Sequence, residues 1–202
     1  MEDYLMIEFE LFDGVCVGVD EAGRGPVAGP VVAAAVVLDA SDEALYQDSK
    51  ACSEKTRMIH AAHLITHAPA WAVSVVDAAT IDEVNILQAT LLAMKRAVAQ
   101  IKIQFDQVLV DGNRLPDWGY PAKAIVKGDQ RVRCIAAASI MAKVFRDELM
   151  LEMDEQYPIY GFKQHKGYPT KAHLLTLEKH GPCVHHRKSF GPVAKYQSMT
   201  LL

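Results

Sequence analysis

Acidic residues follow apolar segments at three separate points along this chain. Asp20 and Glu21 stand after a β-branched run, Asp111 follows Val-Leu-Val, and Asp129 comes after a further apolar segment. Carboxylates that a sheet gathers at one edge repel one another unless cations lie between them. Mg²⁺ and Mn²⁺ prefer such oxygen ligands, and two of these ions about 4 Å apart can activate a water and stabilise the leaving oxygen of a phosphodiester. The pattern therefore predicts a site that binds two divalent cations and hydrolyses phosphodiesters.

The adjacency of Asp20 and Glu21 sets a condition on this hypothesis. Neighbouring side chains of a strand point to opposite faces, so both acids serve one site only if the backbone leaves the strand at this point. Gly23 and Gly25, which follow, permit such a turn. A pair of solvated turn acids is the alternative for these two residues taken alone.

A dinucleotide-binding loop is disfavoured for residues 18–30. The glycines at positions 23, 25 and 29 miss the G-x-G-x-x-G spacing. The segment also leads into an apolar β-branched run rather than a helix, so no helix N-terminus would meet a phosphate. Asp20 and Glu21 would in addition repel a bare pyrophosphate.

The elements that must position these acids follow an α/β pattern. Predicted strands cover Val15–Val19, Val31–Leu38, Trp71–Val76, Val108–Asp111 and Ala122–Lys127. Predicted helices cover Ser53–Thr66, a segment from Thr80 to about Ile101, Arg133–Gln156 and Thr170–His180. Strands come early, with helices between and after them, which predicts a mixed sheet of about five strands flanked by helices. We expect a single domain over residues 1–202, in which residues 156–202 form a basic, mostly helical extension.

Local patterns add detail to two of these helices. Thr80 and Glu83 fit a capping box, in which each side chain satisfies a backbone donor near the other. The helix that they open would bury one face, formed by Val84, Leu87, Leu91, Met94 and Val98. The helix over Ser53–Thr66 has its own apolar spacing, formed by Met58, Ile59, Ala62 and Ile65.

The charge is distributed unevenly along the 202 residues. The net charge of −4 argues at first against a nucleic-acid partner. Residues 1–60, however, carry twelve acids against four basic residues, whereas from Gln156 onward Glu178 is the only acid among seven Lys and Arg. An acidic first part and a basic last part suit an enzyme that places metal ions against a polyanion. A solvated basic tail is the alternative.

Membrane and secretory classes are disfavoured by the sequence. No run approaches the roughly 18 apolar residues that cross a bilayer, so no membrane partner is expected. The acidic start, Met1–Tyr4, lacks the basic residues of a secretory signal. The four cysteines form no Cys-x-x-Cys pair, which favours buried or free thiols in a cytoplasmic protein.

Six motifs carry a specific resemblance. In chain order they are Asp20-Glu21-Ala22-Gly23-Arg24-Gly25-Pro26, Asp48-Ser49-Lys50, Asp111-Gly112-Asn113, Lys127-Gly128-Asp129, Ile135–Asp147 and Gly167-Tyr168-Pro169-Thr170. Their order and spacing resemble those of bacterial ribonuclease HII, a type 2 ribonuclease H, from about Val15 to Ala194. Only about fourteen residues precede the first predicted strand, so the similar ribonuclease HIII, which has a substantial extra N-terminal domain, is disfavoured.

The resemblance implies an RNase H-like fold and a Mg²⁺- or Mn²⁺-dependent endonuclease. Its substrates would be RNA–DNA hybrids and DNA duplexes that contain ribonucleotides, in ribonucleotide removal and RNA primer removal. Cleavage on the 5′ side of a ribonucleotide would leave 3′-hydroxyl and 5′-phosphate ends. Asp20, Glu21 and Asp111 would be metal ligands, and Asp129 would be a fourth acid that binds metal or assists water and product departure. We expect a monomer.

The resemblance also implies substrate contacts. Gly23, Arg24 and Gly25 would approach the 2′-hydroxyl at an RNA–DNA junction, where glycine lets the backbone come close. Tyr168 would stack on, or hydrogen-bond near, the sugar that follows the ribonucleotide. Lys50 would neutralise a backbone phosphate near the cut. The family usually continues Asp-Ser-Lys with a second lysine and a leucine, whereas Ala-Cys follows here, which puts an auxiliary phosphate contact in doubt.

Further contacts are expected from one helix. Ser139, Lys143 and Arg146 share a helix face at i, i+4 and i+7 and could track phosphates. Asp147 is expected to orient its neighbours or pair with Arg146 rather than bind metal.

Five histidines cluster late in the chain without the spacing of a standard zinc site, and phosphate contact or surface exposure is expected for them. They are His165, His173, His180, His185 and His186. Two other functions stay open: another metal-dependent phosphodiesterase on the same sheet, and a nucleic-acid-binding module without catalysis.

Overall fold

The computed structural model describes residues 10–42, 44, 46, 49 and 52–196. The strands are β1 (Cys16–Ala22), β2 (Val31–Val37), β3 (Ala70–Val76), β4 (Gln107–Asp111) and β5 (Ala122–Ile125). The helices are α1 (Glu54–His67), α2 (Ala78–Val84), α3 (Ile86–Ala99), α4 (Gly128–Arg131), α5 (Arg133–Gln156), α6 (Phe162–His165), α7 (Lys171–His180) and α8 (Gly191–Ala194), with a 3₁₀ turn at Pro158–Tyr160.

The strands form one mixed sheet in the order β3-β2-β1-β4-β5. The pairs β3–β2 and β2–β1 are antiparallel, whereas β1–β4 and β4–β5 are parallel. The predicted α/β class with a five-stranded mixed sheet is therefore confirmed. The parallel half matters for function, because parallel strands bring their carboxyl ends to the same edge of the sheet.

Strand β2 lies at the centre of the core, and all seven of its residues are buried. Ala33 and Ala35 face the core that contains α3, and Ala34 and Val36 face the core that contains α5. A strand that is covered on both faces reads as a continuous apolar run, which is how Val31–Val37 appears in the sequence.

Helix α5 packs directly on β1, and Gly18 makes this approach possible. A Cβ atom at Gly18 would lie 2.1 Å from the backbone carbon of Cys134 and 2.5 Å from the nitrogen of Ile135. No side chain fits in that space. The first turns of α5 are thereby held against the strand that carries Asp20.

The predicted capping box at Thr80 is wrong. Asp77 caps α2 and accepts a hydrogen bond from the Thr80 nitrogen at 2.8 Å. The chain then breaks at Asn85, which has φ 70° and whose side chain accepts from the nitrogens of Leu87 and Gln88 to begin α3. Two helices therefore replace one, because Asp and Asn are stronger caps than Thr and Asn tolerates a positive φ.

The apolar face predicted for α1 is also wrong. Met58, Ile59 and Ile65 are 56%, 59% and 45% exposed, whereas Ala61 and Leu64 are buried in the core shared with α5. The helix packs on α5 through Ala61 and Leu64, so its buried face is rotated away from the predicted one.

Two of the late histidines contradict the expected surface position. His173 and His186 are buried. Within the described residues, no three His, Cys, Asp or Glu side chains lie close enough together to hold a metal ion, and this includes the acids that follow the strands. All four cysteines lie within the described residues and are free thiols, as expected.

Candidate metal centre

The parallel pairing of β1 and β4 brings two of the predicted metal ligands together. Val19 pairs with Val110, and the next residue on each strand is an acid, Asp20 on β1 and Asp111 on β4. Neighbouring strands lie about 4.8 Å apart, so these two residues occupy adjacent positions at the same edge of the sheet. Strand β1 continues to Ala22, and the expected departure of the backbone at Glu21 does not occur.

Asp20 is a buried carboxylate with a strongly perturbed pKa. Burial raises its pKa well above the ordinary value, and the negative charges of Glu21 and Asp111 raise it further. The Ser139 hydroxyl and the Glu21 backbone nitrogen, which lies 2.7 Å from Oδ1, donate hydrogen bonds that act in the opposite direction. The ends of β1 and β4 therefore bring acidic side chains together, and one of them, Asp20, is buried.

Asp111 is fixed by the Lys-Gly-Asp motif. Its Oδ1 atom accepts a hydrogen bond from the Gly128 nitrogen at 2.7 Å. Lys127 adopts a left-handed conformation with φ 56°, which turns the chain from β5 into α4. Asp129 is the next residue and is buried at 6% exposure. The motif thus holds Asp129 directly after the glycine that bonds to Asp111.

Glu21 opens onto a surface cleft. Glu21, Arg24, Asp111, Asn113 and Arg114 line this cleft, and α3 forms its apolar wall. The Arg24 guanidinium lies 3.4 Å from Glu21 Oε1 and is half exposed. Since side chains alternate along β1, Asp20 and Glu21 approach the edge from opposite faces of the sheet.

The loop after β1 is held by a buried arginine that the sequence did not single out. Arg187 is fully buried, and its guanidinium donates to the carbonyl oxygens of Gly23, Pro26 and Gly29 at 2.6, 2.6 and 2.9 Å. It also reaches the carbonyls of Arg24 and Pro30, both at 3.1 Å. Burial lowers its pKa to about 9. A basic residue in a basic segment gives no local signal of such a role.

Arg146 supports the same loop from the other side. It is 1% exposed and donates to the carbonyls of Pro30, Ala28 and Lys166 at 3.0, 3.3 and 3.0 Å. The expectation that Arg146 tracks phosphates does not fit this position, because its donors are directed into the protein. The i, i+7 spacing identified its helix face correctly, but that face is covered by the loop.

Ser139 and Lys143 lie on the same face of α5. Ser139 is 4% exposed, and its hydroxyl contacts the Ser49 hydroxyl at 2.9 Å as well as the Asp20 carboxylate. A contact with Asp20 is a different role from the expected phosphate contact. Lys143 is partly exposed and pairs with Asp147 at 2.7 Å, so Asp147 pairs with this lysine rather than with Arg146. Lys50, the expected phosphate contact, lies outside the described residues.

Tyr168 lies beside the glycine loop. A Cβ atom on Gly25 would stand 3.4 Å from Tyr168 Cε1, so the ring is in van der Waals reach of the loop backbone. The ring is 47% exposed, and Gly25 is also exposed. The preceding Gly167 comes so near Ala28 that a Cβ would meet the Ala28 carbonyl oxygen at 2.3 Å. Gly25 and Tyr168 thus form one surface, and Arg24, which adjoins Gly25 in sequence, lines the cleft with Glu21 and Asp111.

Comparison with known proteins places this arrangement in a family. The sequence profile of the family described as Ribonuclease HII matches residues 17–193. The chain belongs to the ribonuclease HII family. Ribonuclease HII of Dechloromonas aromatica (strain RCB) is 53% identical over 187 residues, which cover 92% of this chain and 95% of that protein. Ribonuclease HII of Francisella tularensis subsp. mediasiatica (strain FSC147) is 52% identical over 181 residues, which cover 89% and 96%.

A solved structure supports the same assignment. The ribonuclease H2 from Pyrococcus horikoshii OT3 superposes with a TM-score of 0.77 at 25% identity, covering 92% of this chain and 98% of that chain. Ribonucleases HII are metal-dependent endonucleases that hydrolyse RNA in RNA–DNA hybrids. The predicted family, fold and enzyme class are therefore confirmed.

The donor set of this ribonuclease HII fits a hard divalent cation. Among the described residues that line the cleft, the acids offer carboxylate oxygens and there is no thiol or imidazole, which is the ligand chemistry of Mg²⁺ and Mn²⁺. Asp20 is in addition destabilised as an anion by burial and by its acidic neighbours, a penalty that a bound cation relieves. Glu21 and Asp111 both raise the pKa of Asp20 by their charge, so the three carboxylates lie near one another, although they are not drawn together as in a formed metal site.

Within residues 10–42, 44, 46, 49 and 52–196, no helix combines the length and apolar character that crossing a bilayer requires.

Proposed function

We propose that this ribonuclease HII cuts on the 5′ side of ribonucleotides embedded in duplex DNA as well as within RNA–DNA hybrids, leaving 3′-hydroxyl and 5′-phosphate ends. One observation carries the proposal. Asp20 and Asp111 occupy adjacent positions on the parallel strands β1 and β4. Arg24 lines the cleft of Glu21 and Asp111, and the next residue, Gly25, lies against the Tyr168 ring. This arrangement supports a site in which acids that would bind metal adjoin groups that would contact a sugar.

Asp20, Glu21 and Asp111 would hold the metal, with Asp129 as a fourth acid. Two Mg²⁺ or Mn²⁺ ions bound there would activate the attacking water and stabilise the departing 3′-oxygen. The Gly128 nitrogen donates to Asp111 Oδ1, so the other carboxylate oxygen, Oδ2, would face the metal. The Ser139 hydroxyl orients the Asp20 carboxylate from beneath. These contacts set the positions of the acids before substrate binds, which reduces the reorganisation that cleavage requires.

Recognition of the ribonucleotide would rest on the loop backbone and Tyr168. The 2′-hydroxyl distinguishes RNA from DNA, and it can donate and accept hydrogen bonds. Glycine at positions 23 and 25 lets main-chain groups approach it without a side chain between them. Arg24, half exposed, would contact the same junction. The exposed ring of Tyr168 offers a flat apolar surface for the next sugar.

Contacts with the phosphate backbone would come from Lys50 and Lys143. Lys143 already pairs with Asp147, so a phosphate would compete with that carboxylate for the ammonium group. We further propose that one chain acts as a monomer, with residues 1–202 as a single catalytic domain. Its cellular role would be removal of ribonucleotides and RNA primers from DNA.

A duplex panel tests the proposal. The substrates are a DNA duplex with one ribonucleotide, an RNA–DNA hybrid, an all-DNA duplex and an all-RNA duplex, each with Mg²⁺, Mn²⁺ or chelator. Metal-dependent cleavage of the first two alone, with a 3′-hydroxyl on the upstream product, is the expected result. Equal cleavage of all four would favour a general phosphodiesterase, and salt-sensitive binding without product would favour a binding module.

The metal ligands are tested by Asp111→Asn. We expect loss of cleavage by at least about a thousandfold with unchanged circular dichroism, because the amide is a poor ligand for these ions. Asp117→Asn is the matched control, since Asp117 is exposed and lies outside the cleft. Full activity in Asp111→Asn would refute the assignment.

A further inference from the structure

Three segments that are distant in sequence meet behind the surface formed by Gly25 and Tyr168. The Val27 nitrogen donates to the Gly167 carbonyl at 2.9 Å, and the Arg187 nitrogen donates to the Val27 carbonyl at 2.9 Å. The Gly29 nitrogen donates to the His185 carbonyl, also at 2.9 Å. The Gly23–Pro30 loop is therefore joined on one side to the segment of Tyr168 and on the other to residues 185–187.

Two buried histidines connect the outer segments directly. His173 Nε2 and His186 Nε2 lie 2.9 Å apart. His173 Nδ1 lies 2.9 Å from the Tyr168 carbonyl oxygen, and His186 Nδ1 lies 3.0 Å from the Cys183 nitrogen. The pair thus runs from the main chain at Cys183 to the main chain at Tyr168.

The partners determine where the protons are. The Tyr168 carbonyl can only accept, so His173 carries its proton on Nδ1 and accepts on Nε2. His186 must then donate from Nε2, and its Nδ1 accepts from the Cys183 nitrogen and from the thiol, whose sulfur lies 3.2 Å away. Each ring is therefore a single tautomer with both nitrogens hydrogen-bonded, and all hydrogen bonds of the pair are donated in the direction from Cys183 to Tyr168.

An aromatic shell holds the two rings in place. His165 stacks on His173 with ring centroids 4.2 Å apart, and Tyr160 packs against His186 at 4.7 Å. Phe162 contacts both rings at their edges or faces, at 5.7 and 5.5 Å. Burial lowers the pKa of both histidines, so both are neutral near pH 7.

We propose that the His173–His186 pair is a positioning unit that fixes the main chain at Tyr168, and with it the tyrosine ring, against the Gly23–Pro30 loop. The inference rests on the proposed function in so far as Tyr168 and Gly25 contact the ribonucleotide. His173 and His186 touch no substrate themselves; they act through Tyr168. The Thr170 nitrogen also donates to the Tyr168 carbonyl, at 2.8 Å, and the histidine supplies the second bond that sets its direction.

The test is a double-mutant cycle with His173→Phe and Tyr168→Ala. Phenylalanine preserves the ring packing but removes both hydrogen bonds. We expect His173→Phe to raise KM for a DNA duplex with one ribonucleotide about tenfold, the ratio that corresponds to one buried hydrogen bond, with kcat changed less than about twofold. In the Tyr168→Ala background the same change should raise KM by less than about twofold, because the group through which it acts is gone.

His180→Phe is the matched control. It makes the same substitution at an exposed position at the end of the same helix, and it should leave KM and kcat unchanged. An unchanged KM in His173→Phe would overturn the inference. Equal increases in KM in both backgrounds would also overturn it, because the effect would then be a general structural one that does not pass through Tyr168.

The tautomers can also be measured directly on the wild-type protein, so this test depends neither on the folding of a variant nor on enzyme activity. Histidine ¹⁵N chemical shifts at pH 7.5 should give the Nδ1–H tautomer for His173 and the Nε2–H tautomer for His186. An Nε2–H or charged His173 would overturn the inference even if His173→Phe did not fold. If wild type and His180→Phe fail to cleave the mixed duplex, the proposed function fails, while the tautomers still decide whether the pair holds Tyr168.

Discussion

Acid should destabilise this protein through its two buried histidines before it protonates most carboxylates. The pKa of His173 is lowered to about 4 and that of His186 to about 3, in both cases mainly by burial. In the unfolded chain both residues should titrate near pH 6.5. Between these values the unfolded state binds more protons than the folded state, so stability is full above about pH 6.5 and falls as the pH is lowered.

The magnitude follows from the two pKa values of each residue. At pH 5.5 an unfolded histidine is mostly charged while its folded counterpart is not, which costs about 1.4 kcal/mol for each residue relative to pH 7.5. The pair together would cost about 3 kcal/mol, a large part of the roughly 5–15 kcal/mol that stabilises a typical domain. Asp20 acts in the opposite sense, because its raised pKa favours the folded state as the pH falls.

The contribution of His173 and His186 is measured by comparing wild type with a variant that lacks both histidines. The free energy of unfolding is measured in urea at pH 7.5 and 5.5 for wild type and for His173→Gln/His186→Gln, in which neither side chain titrates. Asp20 and the remaining histidines are common to both proteins, so their contributions cancel. Wild type should lose about 3 kcal/mol more than the double variant over this interval. Equal losses in the two proteins would refute the reasoning.

Two further substitutions test how the fold positions the site. Arg187→Lys should lower the free energy of unfolding by about 3 kcal/mol, since three ammonium donors cannot satisfy five carbonyl groups, which are buried or partly buried. Arg114→Lys, at an exposed position, should change it by less than about 0.5 kcal/mol. An Arg187→Lys protein as stable as wild type in urea would contradict the structural role. Gly18→Ala should lower the free energy of unfolding by about 3 kcal/mol, because its Cβ would overlap the backbone at Cys134. Gly119→Ala is the control and should be nearly neutral in thermal unfolding, because a Cβ there meets nothing within 4 Å. Equal melting temperatures for the two variants would show that α5 can move away from β1 at little cost.

Part of this protein follows from local sequence. The apolar run Val31–Val37 predicts a strand buried on both faces, and Arg133–Gln156 is predicted as a helix with the ends that the structure has. The acids after β-branched runs predict a charged sheet edge, and the order of the motifs identifies the family. These features are readable because periodicity, strand composition and terminators such as Tyr157-Pro158 act over a few residues.

Tertiary structure alone decided which polar groups are buried. Charged residues are exposed by default, so Arg146 and Arg187 read as surface groups. The Gly23–Pro30 loop turns five carbonyl groups toward the interior, and buried carbonyls must be hydrogen-bonded; distant arginines supply the donors. His173 and His186 are likewise buried because the fold brings the two rings to each other and packs Tyr160 and Phe162 against His186. Local sequence specifies the chemistry of a side chain, whereas its surroundings depend on contacts between segments far apart in the chain.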